Sequence, residues 1–393
     1  LSAHSTTIVG VTDLFHFAPE QASLRHAQRW LDSIDRNEKV GSKHHIVPAM
    51  ILRRFANAKG QLFVRDRETG DGGLRSVNDL AVRNFNTTVT KTGEFDSSLE
   101  TLLSVVEGAA ATILHAHLDA ESFSRPRSFT ADERFKLDTF VSLQSVRGMR
   151  DRRSYELMAD YSLKLLNQHQ LTSDDIENLT LVPHPNEYLK ISGQLAERVH
   201  EALAERPMVL VKIDRPLFII GDEPVLLLSD GPAPEDDVDG YPRVAGPGID
   251  PKNIIQLQSG RGIGIANADA VAMPLSPHAA LVYGSPGNRG NAHPEKYDGT
   301  DADSAATQIN DGVLQQAVTW VAAHPDHPSF RDMDFPPPTP LLRIIDGGTA
   351  IGKRTNADTT RRPIRRVRPD DIQDVPEMNG SLTSDGDRIS DHT

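Results

Sequence analysis

Four short stretches carry side chains whose types and spacing could do chemistry. His44 and His45 stand just before Pro48, a residue suited to the first position of a helix, and Arg53 and Arg54 fall within the next two turns. Two imidazoles and two guanidiniums around a helix start form an anion-reading arrangement, because free N–H groups at a helix N-terminus favour negative charge. The competing reading gives one histidine to capping the helix and the arginines to surface ion pairs. Glu100 and Glu107 lie within roughly 20° of each other on a helix. They sit at the edge of a face made by Leu99, Leu103 and Ala110, where one partner can serve both. Gln144 and Arg147 fall on the same helical face as Leu137, Phe140, Leu143 and Met158, where apolar residues are expected. An unpaired buried guanidinium is costly. Arg147 therefore needs a carboxylate: Asp151 one turn on, or Glu107 or Asp222 from another element. Asp222 belongs to LFIIGDEPVLLL, where a turn alone accounts for Asp and Pro, or where a carboxylate is held at a rigid strand tip.

These groups admit two kinds of function. One is a non-enzymatic module in which the set binds a small anion or forms a buried polar network, in an interaction protein of the stress or phage-defence kind. The alternative is a metal-assisted hydrolase of a phosphate-containing substrate, a nucleotide or a nucleic-acid end. There His44 is general acid or base, Glu107 and Asp222 hold a divalent metal or position water, and His45, Arg53, Gln144 and Arg147 read the anion, with Glu100 in support. The first reading is preferred, and whether the chain is an enzyme stays open. A divalent metal belongs to the hydrolase reading alone, and a phosphate-containing small molecule is the partner indicated.

Composition removes other classes. The 393 residues contain no cysteine, so thiolate metal sites, disulfides and cysteine nucleophiles are excluded. A formal charge of −13 argues against broad binding to duplex nucleic acid or an anionic membrane. No apolar run is read as approaching the roughly 20 residues that span a bilayer, and the first residues do not read as a secretory leader, so a cytoplasmic location is expected. GGTAIGKR at Gly347–Arg354 has Arg354 where a phosphate-binding loop needs Ser or Thr. GRGIGIA has the wrong glycine spacing for a dinucleotide loop. HHIVP lacks the later Asn and His of a metal-finger nuclease, since the next histidine is His115.

The elements that must position the candidates are legible as follows. Residues 1–40 are an N-terminal helical extension, with Leu24, Ala27, Trp30, Leu31 and Ile34 at helical spacing. Residues 41–210 form a mainly helical subdomain with a small β element, Gln61–Gly70 and Phe85–Thr90. Its helices open at a Ser97/Glu100 capping box and end near Leu118, open at Thr130/Glu133 and run beyond Arg153, and span Glu187 to Glu205. Residues 211–348 supply short apolar strands and a long helix from Ala305 to Ala323, in the same globular unit. Residues 230–262 read as a loop, and 349–393 as a disordered tail with a basic run at Arg361–Pro369. Helices first and strands later give an α+β fold with a mostly antiparallel sheet.

HHIVPAMILRRFA, LETLLSVVEGAAA, FVSLQSVRGMRDR, FIIGDEPVLLL, MPLSPHAAL and the Ile309-Asn310 pair, in this order, resemble the motifs of an uncharacterised bacterial family catalogued as domain of unknown function 4238. The resemblance spans roughly His44 to His324. It brings no established activity, but it marks His44, Arg53, Glu107, Gln144, Arg147, Asp222 and Asn310 as positions to watch.

Overall fold

The computed structural model describes residues 43–346, apart from 84, 87, 90–94, 97, 119–126, 167–184, 230–254, 260–262 and 288–291. The 1–40 extension, Ser97 of the expected capping box, Gly347–Arg354 and the 349–393 tail lie outside the described residues.

Pro48 caps a short helix α1 (Ala49–Phe55) that buries Ile51, Leu52 and Phe55. It is flanked by β1 (Lys43–His44) and the hairpin β2 (Gln61–Asp66) and β3 (Gly72–Ser76). Three two-residue strands follow: β4 (Val82–Arg83), β5 (Thr88–Val89) and β6 (Phe95–Asp96). Four helices come next, α2 (Ser98–Leu118), α3 (Ala131–Val146), α4 (Met149–Leu166) and α5 (Pro185–Ala204). Thr130 and Glu133 close a reciprocal capping box at the start of α3, satisfying two otherwise orphaned backbone donors. In α5 the apolar stripe Tyr188, Leu189, Ala196, Val199 and Leu203 is buried, and α3 packs between α5 and α2.

The helix expected from Thr130 past Arg153 is two helices, broken at Arg147 and Gly148. A carboxylate from much further along the chain sits at the break. Glu223 Oε1 accepts the Arg150 N–H at 2.6 Å, and a Cβ on Gly148 would stand 2.1 Å from Glu223 Oε2. Glu223 thus occupies the negative-charge position at the N-terminus of α4.

The second half is mostly strands. Five of them, β7 (Met208–Ile213), β9 (Leu226–Leu228), β11 (Ala270–Ser276), β12 (Ala279–Tyr283) and β13 (His293–Tyr297), form a sheet in the order β13-β7-β12-β11-β9, antiparallel except for the β13–β7 pair. A second, fully antiparallel sheet runs β3-β2-β14-β8, with β8 at Ile220–Gly221 and β14 at Trp320–Ala323. The helix between the sheets, α6, spans Gly299–Gln316. The expected helix end at Ala323 is therefore corrected: the helical period carries on through Ala317, Trp320 and Val321, but pairing with β2 and β8 takes 320–323 as a strand. The loop expected over 230–262 also contains a strand, β10 (Ile255–Ser259), paired with β15 (Leu342–Asp346). The fold is α+β, helices first and mostly antiparallel sheets after, and one buried apolar cluster extends from Val47 to Phe330.

By length and composition α2 is apolar enough to cross a membrane, with a hydropathy of 1.3 over Leu99–Leu118, which corrects the expectation of no such run. In the fold its inner side, Leu99, Leu103, Val106, Ala110 and Leu114, belongs to the core.

Candidate functional site

β1, α2 and the C-terminus of α3 bring four of the candidate side chains onto one network. Arg147 is the C-cap of α3, buried to 6% exposure, so its side chain leaves the helix end toward α2. Its Nη2 donates to Glu100 Oε1 at 3.0 Å and Oε2 at 3.3 Å, and its Nη1 to Glu107 Oε1 at 2.5 Å. The seven-residue spacing of the two glutamates on one helix makes this double pairing possible. On the other side of Glu100, Asn86 Nδ2 donates to Oε1, and the His44 Nδ1 lies 3.7 Å from the same oxygen. His44 Nδ1 also accepts the Asn86 backbone N–H at 3.0 Å. An accepting Nδ1 puts the proton of the neutral imidazole on Nε2.

The electrostatics of this network are uneven. Glu100 is almost sealed, whereas the Glu107 side chain keeps 22% of its exposure. Burial pushes the Glu107 carboxyl above its ordinary value, and the charge of Glu100 adds to that, against the pull of Arg147. Gln144, one turn before Arg147, is 2% exposed, and its Oε1 has no hydrogen-bond partner; Arg147 Nε is likewise buried without one. Unpaired buried polar atoms are rare enough in native proteins that two on neighbouring turns call for an explanation.

His45 is half-buried, with Nε2 3.3 Å from the Val77 carbonyl oxygen. Burial lowers its proton affinity, and the charges of Arg147 and Arg53 lower it further, so both guanidiniums stand within electrostatic reach of the ring. Arg53 itself is exposed on α1. That helix has seven residues, and the Ile51 and Leu52 N–H groups turn back to Pro48 O at 2.9 and 3.1 Å. The expected seat for an anion among free N–H groups is thus partly used by the helix itself.

Two candidates belong to different places. Asp222 is fully buried and accepts from Val318 N at 2.8 Å, Thr319 N at 2.6 Å and Thr319 Oγ1 at 2.5 Å, fastening the turn between α6 and β14. Desolvation raises its carboxyl pKa, while those three donors hold it down. Asn310 accepts from Ile219 N at 3.0 Å and donates to Leu217 O at 2.7 Å, clasping the strand that leads to β8. Both side chains therefore serve the backbone of the second sheet, and neither shares a hydrogen bond with Arg147 or Glu107. Among the described residues no group of three or more His, Asp or Glu side chains could hold a metal ion.

Asn86 and Glu223 escaped the sequence reading. Asn86 lies in a segment read as strand, and only its position between His44 and Glu100 reveals it. Glu223 adjoins Asp222 in the Gly-Asp-Glu-Pro turn, where a second buried carboxylate was the available signal.

The residues of this network lie within the region matched by the sequence model for proteins of unknown function DUF4238, which covers residues 43–327. No curated protein and no solved structure matches the chain. A match over most of the length, containing every motif discussed above up to β14, means that the chain belongs to the DUF4238 family.

Proposed function

We propose that the seam between α2 and the end of α3 is a seat for a small oxyanion, a carboxylate or a phosphate ester, and that the protein is a non-enzymatic binding module. The observation that carries this reading is the pair of unpartnered buried atoms, Gln144 Oε1 and Arg147 Nε, beside the one partly exposed carboxylate, Glu107. A guanidinium bridging two carboxylates has one more anion than it can neutralise. Glu107, already inclined to hold a proton, is the one that yields. An incoming oxyanion takes Nη1, Glu107 leaves as a neutral acid, and the Gln144 carboxamide turns over, so that its NH2 donates to the anion in place of the unpartnered Oε1. His45 and Arg53 set the sign of the potential at the entrance.

The metal-assisted hydrolase requires Glu107 and Asp222 at one centre. Asp222 is instead enclosed by the 318–319 backbone, so the side chains do not fit a shared metal.

Calorimetric titration of the full chain with inorganic phosphate and with citrate tests the seat. Binding should strengthen about tenfold in Glu107→Gln, which removes the competing charge, and weaken about tenfold in Gln144→Leu. Heat-free titrations with both anions, or binding indifferent to both substitutions, would sink the reading.

A further inference from the structure

One edge of the second sheet is open. The sheet runs β3-β2-β14-β8, so β3 pairs with β2 on one side, and among the described residues no strand pairs with its other side. Asp66 N donates to Asp71 O at 2.8 Å, which sets the alternation of the β2–β3 ladder. With Val64 opposite Gly73 and Leu62 opposite Arg75, the backbone groups of Gly73 and Arg75 turn toward β2, and those of Gly72, Leu74 and Ser76 turn outward. Ser76 bears this out, since its N–H donates to Asp79 Oδ2 at 2.9 Å, beyond the ladder. The outward groups of Gly72 and Leu74 make no hydrogen bond among the described residues. Proteins ordinarily blunt such an edge with Lys or Pro, and β3, Gly-Gly-Leu-Arg-Ser, has neither.

The side chains along this edge are self-complementary. Leu74 is 50% exposed, one of two large apolar side chains so placed among the described residues. Asp71 and Arg75 are exposed, and neither side chain makes an ion pair or hydrogen bond among the described residues. Two β3 strands laid antiparallel about a two-fold axis at Gly73 set Gly72 opposite Leu74 of the second copy. Both residues face outward, so each of the two symmetric pairs exchanges two main-chain hydrogen bonds. Asp71 then stands opposite Arg75 of the second copy, twice over, with opposite charges facing. A Cβ on Gly72 would come within 2.9 Å of Phe63 Cε1, so the ring leans over the position that the incoming leucine meets. A register centred on Leu74 instead would set Gly72 against Ser76, whose N–H is already taken, and would part Asp71 from Arg75.

We propose that the protein forms a symmetric homodimer through β3, with Gly73 on the two-fold axis and the two second sheets joined edge to edge. None of the residues at this edge belongs to the Arg147 network, so the interface is independent of the anion seat.

The chain has no cysteine, so a single introduced thiol reports the register. A Cβ on Gly73 would meet nothing within 4 Å. Facing residues of a non-hydrogen-bonded pair sit about 4.5 Å apart at Cα, within disulfide reach. In the full-length protein under mild oxidation, Gly73→Cys should form disulfide-linked dimers about tenfold faster than Arg75→Cys, whose thiols this register holds roughly 13 Å apart. Sedimentation equilibrium gives a second readout. Asp71→Arg and Arg75→Asp should each weaken the dimer about tenfold, and an equimolar mixture of the two should restore it as a heterodimer. A wild-type protein that stays monomeric up to its solubility limit, equal cross-linking at positions 73 and 75, or a mixture that associates no better than either variant alone overturns the proposal.

Discussion

One guanidinium between two carboxylates makes Glu107 the proton-sensitive member of the network. Its folded pKa is raised, chiefly by burial, so the folded protein holds this proton more tightly than the unfolded chain does. The stability it contributes is therefore complete below the ordinary value of 4.5 and is lost as pH rises through the raised value. Glu107→Gln should remove that part of the slope, seen as a smaller change in urea midpoint between pH 4.5 and neutrality; an unchanged slope would mean that folding leaves the proton affinity of Glu107 unaltered. The sequence exposed the need for this pairing, because an arginine on an apolar helical face demands a carboxylate, and Glu107 was among the three offered. It could not rank them. Choosing Glu107 and Glu100 over Asp151 depends on where α3 ends, and that depends on Glu223, more than seventy positions downstream.

At the scale of elements, the break between α3 and α4 depends on the missing side chain of Gly148. Gly148→Ala forces a methyl into the Glu223 carboxylate that holds the Arg150 N–H, and it should cost about 1–3 kcal/mol, read by denaturant titration. A loss below about 0.5 kcal/mol would show that Glu223 can swing aside. The α3–α5 seam carries a pH response of opposite sign. His200 packs edge-on against Phe135 at 4.9 Å between ring centres, and burial, helped by Arg134, lowers its pKa from 6.5 to about 4. The unfolded chain binds this proton first, so the stability of the seam is complete above 6.5 and falls away as pH drops toward about 4. His200→Gln should recover about 2–3 kcal/mol of that acid loss, measured as the difference in melting between the two proteins across the window; parallel curves would exclude His200 as the titrating group. Capping boxes and apolar stripes made α3 and α5 readable. The strand at Trp320–Ala323 was not, because its residues continue a helical period and only long-range pairing decides otherwise.

For the whole molecule, order of composition gave the fold class, while sheet membership did not follow chain order. The hairpin of β2 and β3 is local, yet its sheet is completed by β14, and Arg65 on β2 donates to the Phe330 and Met333 carbonyls at 3.3 and 2.5 Å. The family region ends at 327, just after that closing strand. During synthesis the inner edge of β2 must therefore wait for almost the entire family region to be translated, a delay on the order of tens of seconds at ordinary elongation rates. Closing so long a loop is entropically slow. A ribosome-bound chain stopped before Trp320 would display β2 as an open edge able to pair with another nascent copy, so biogenesis, more than the finished fold, is where this architecture is exposed to misassembly.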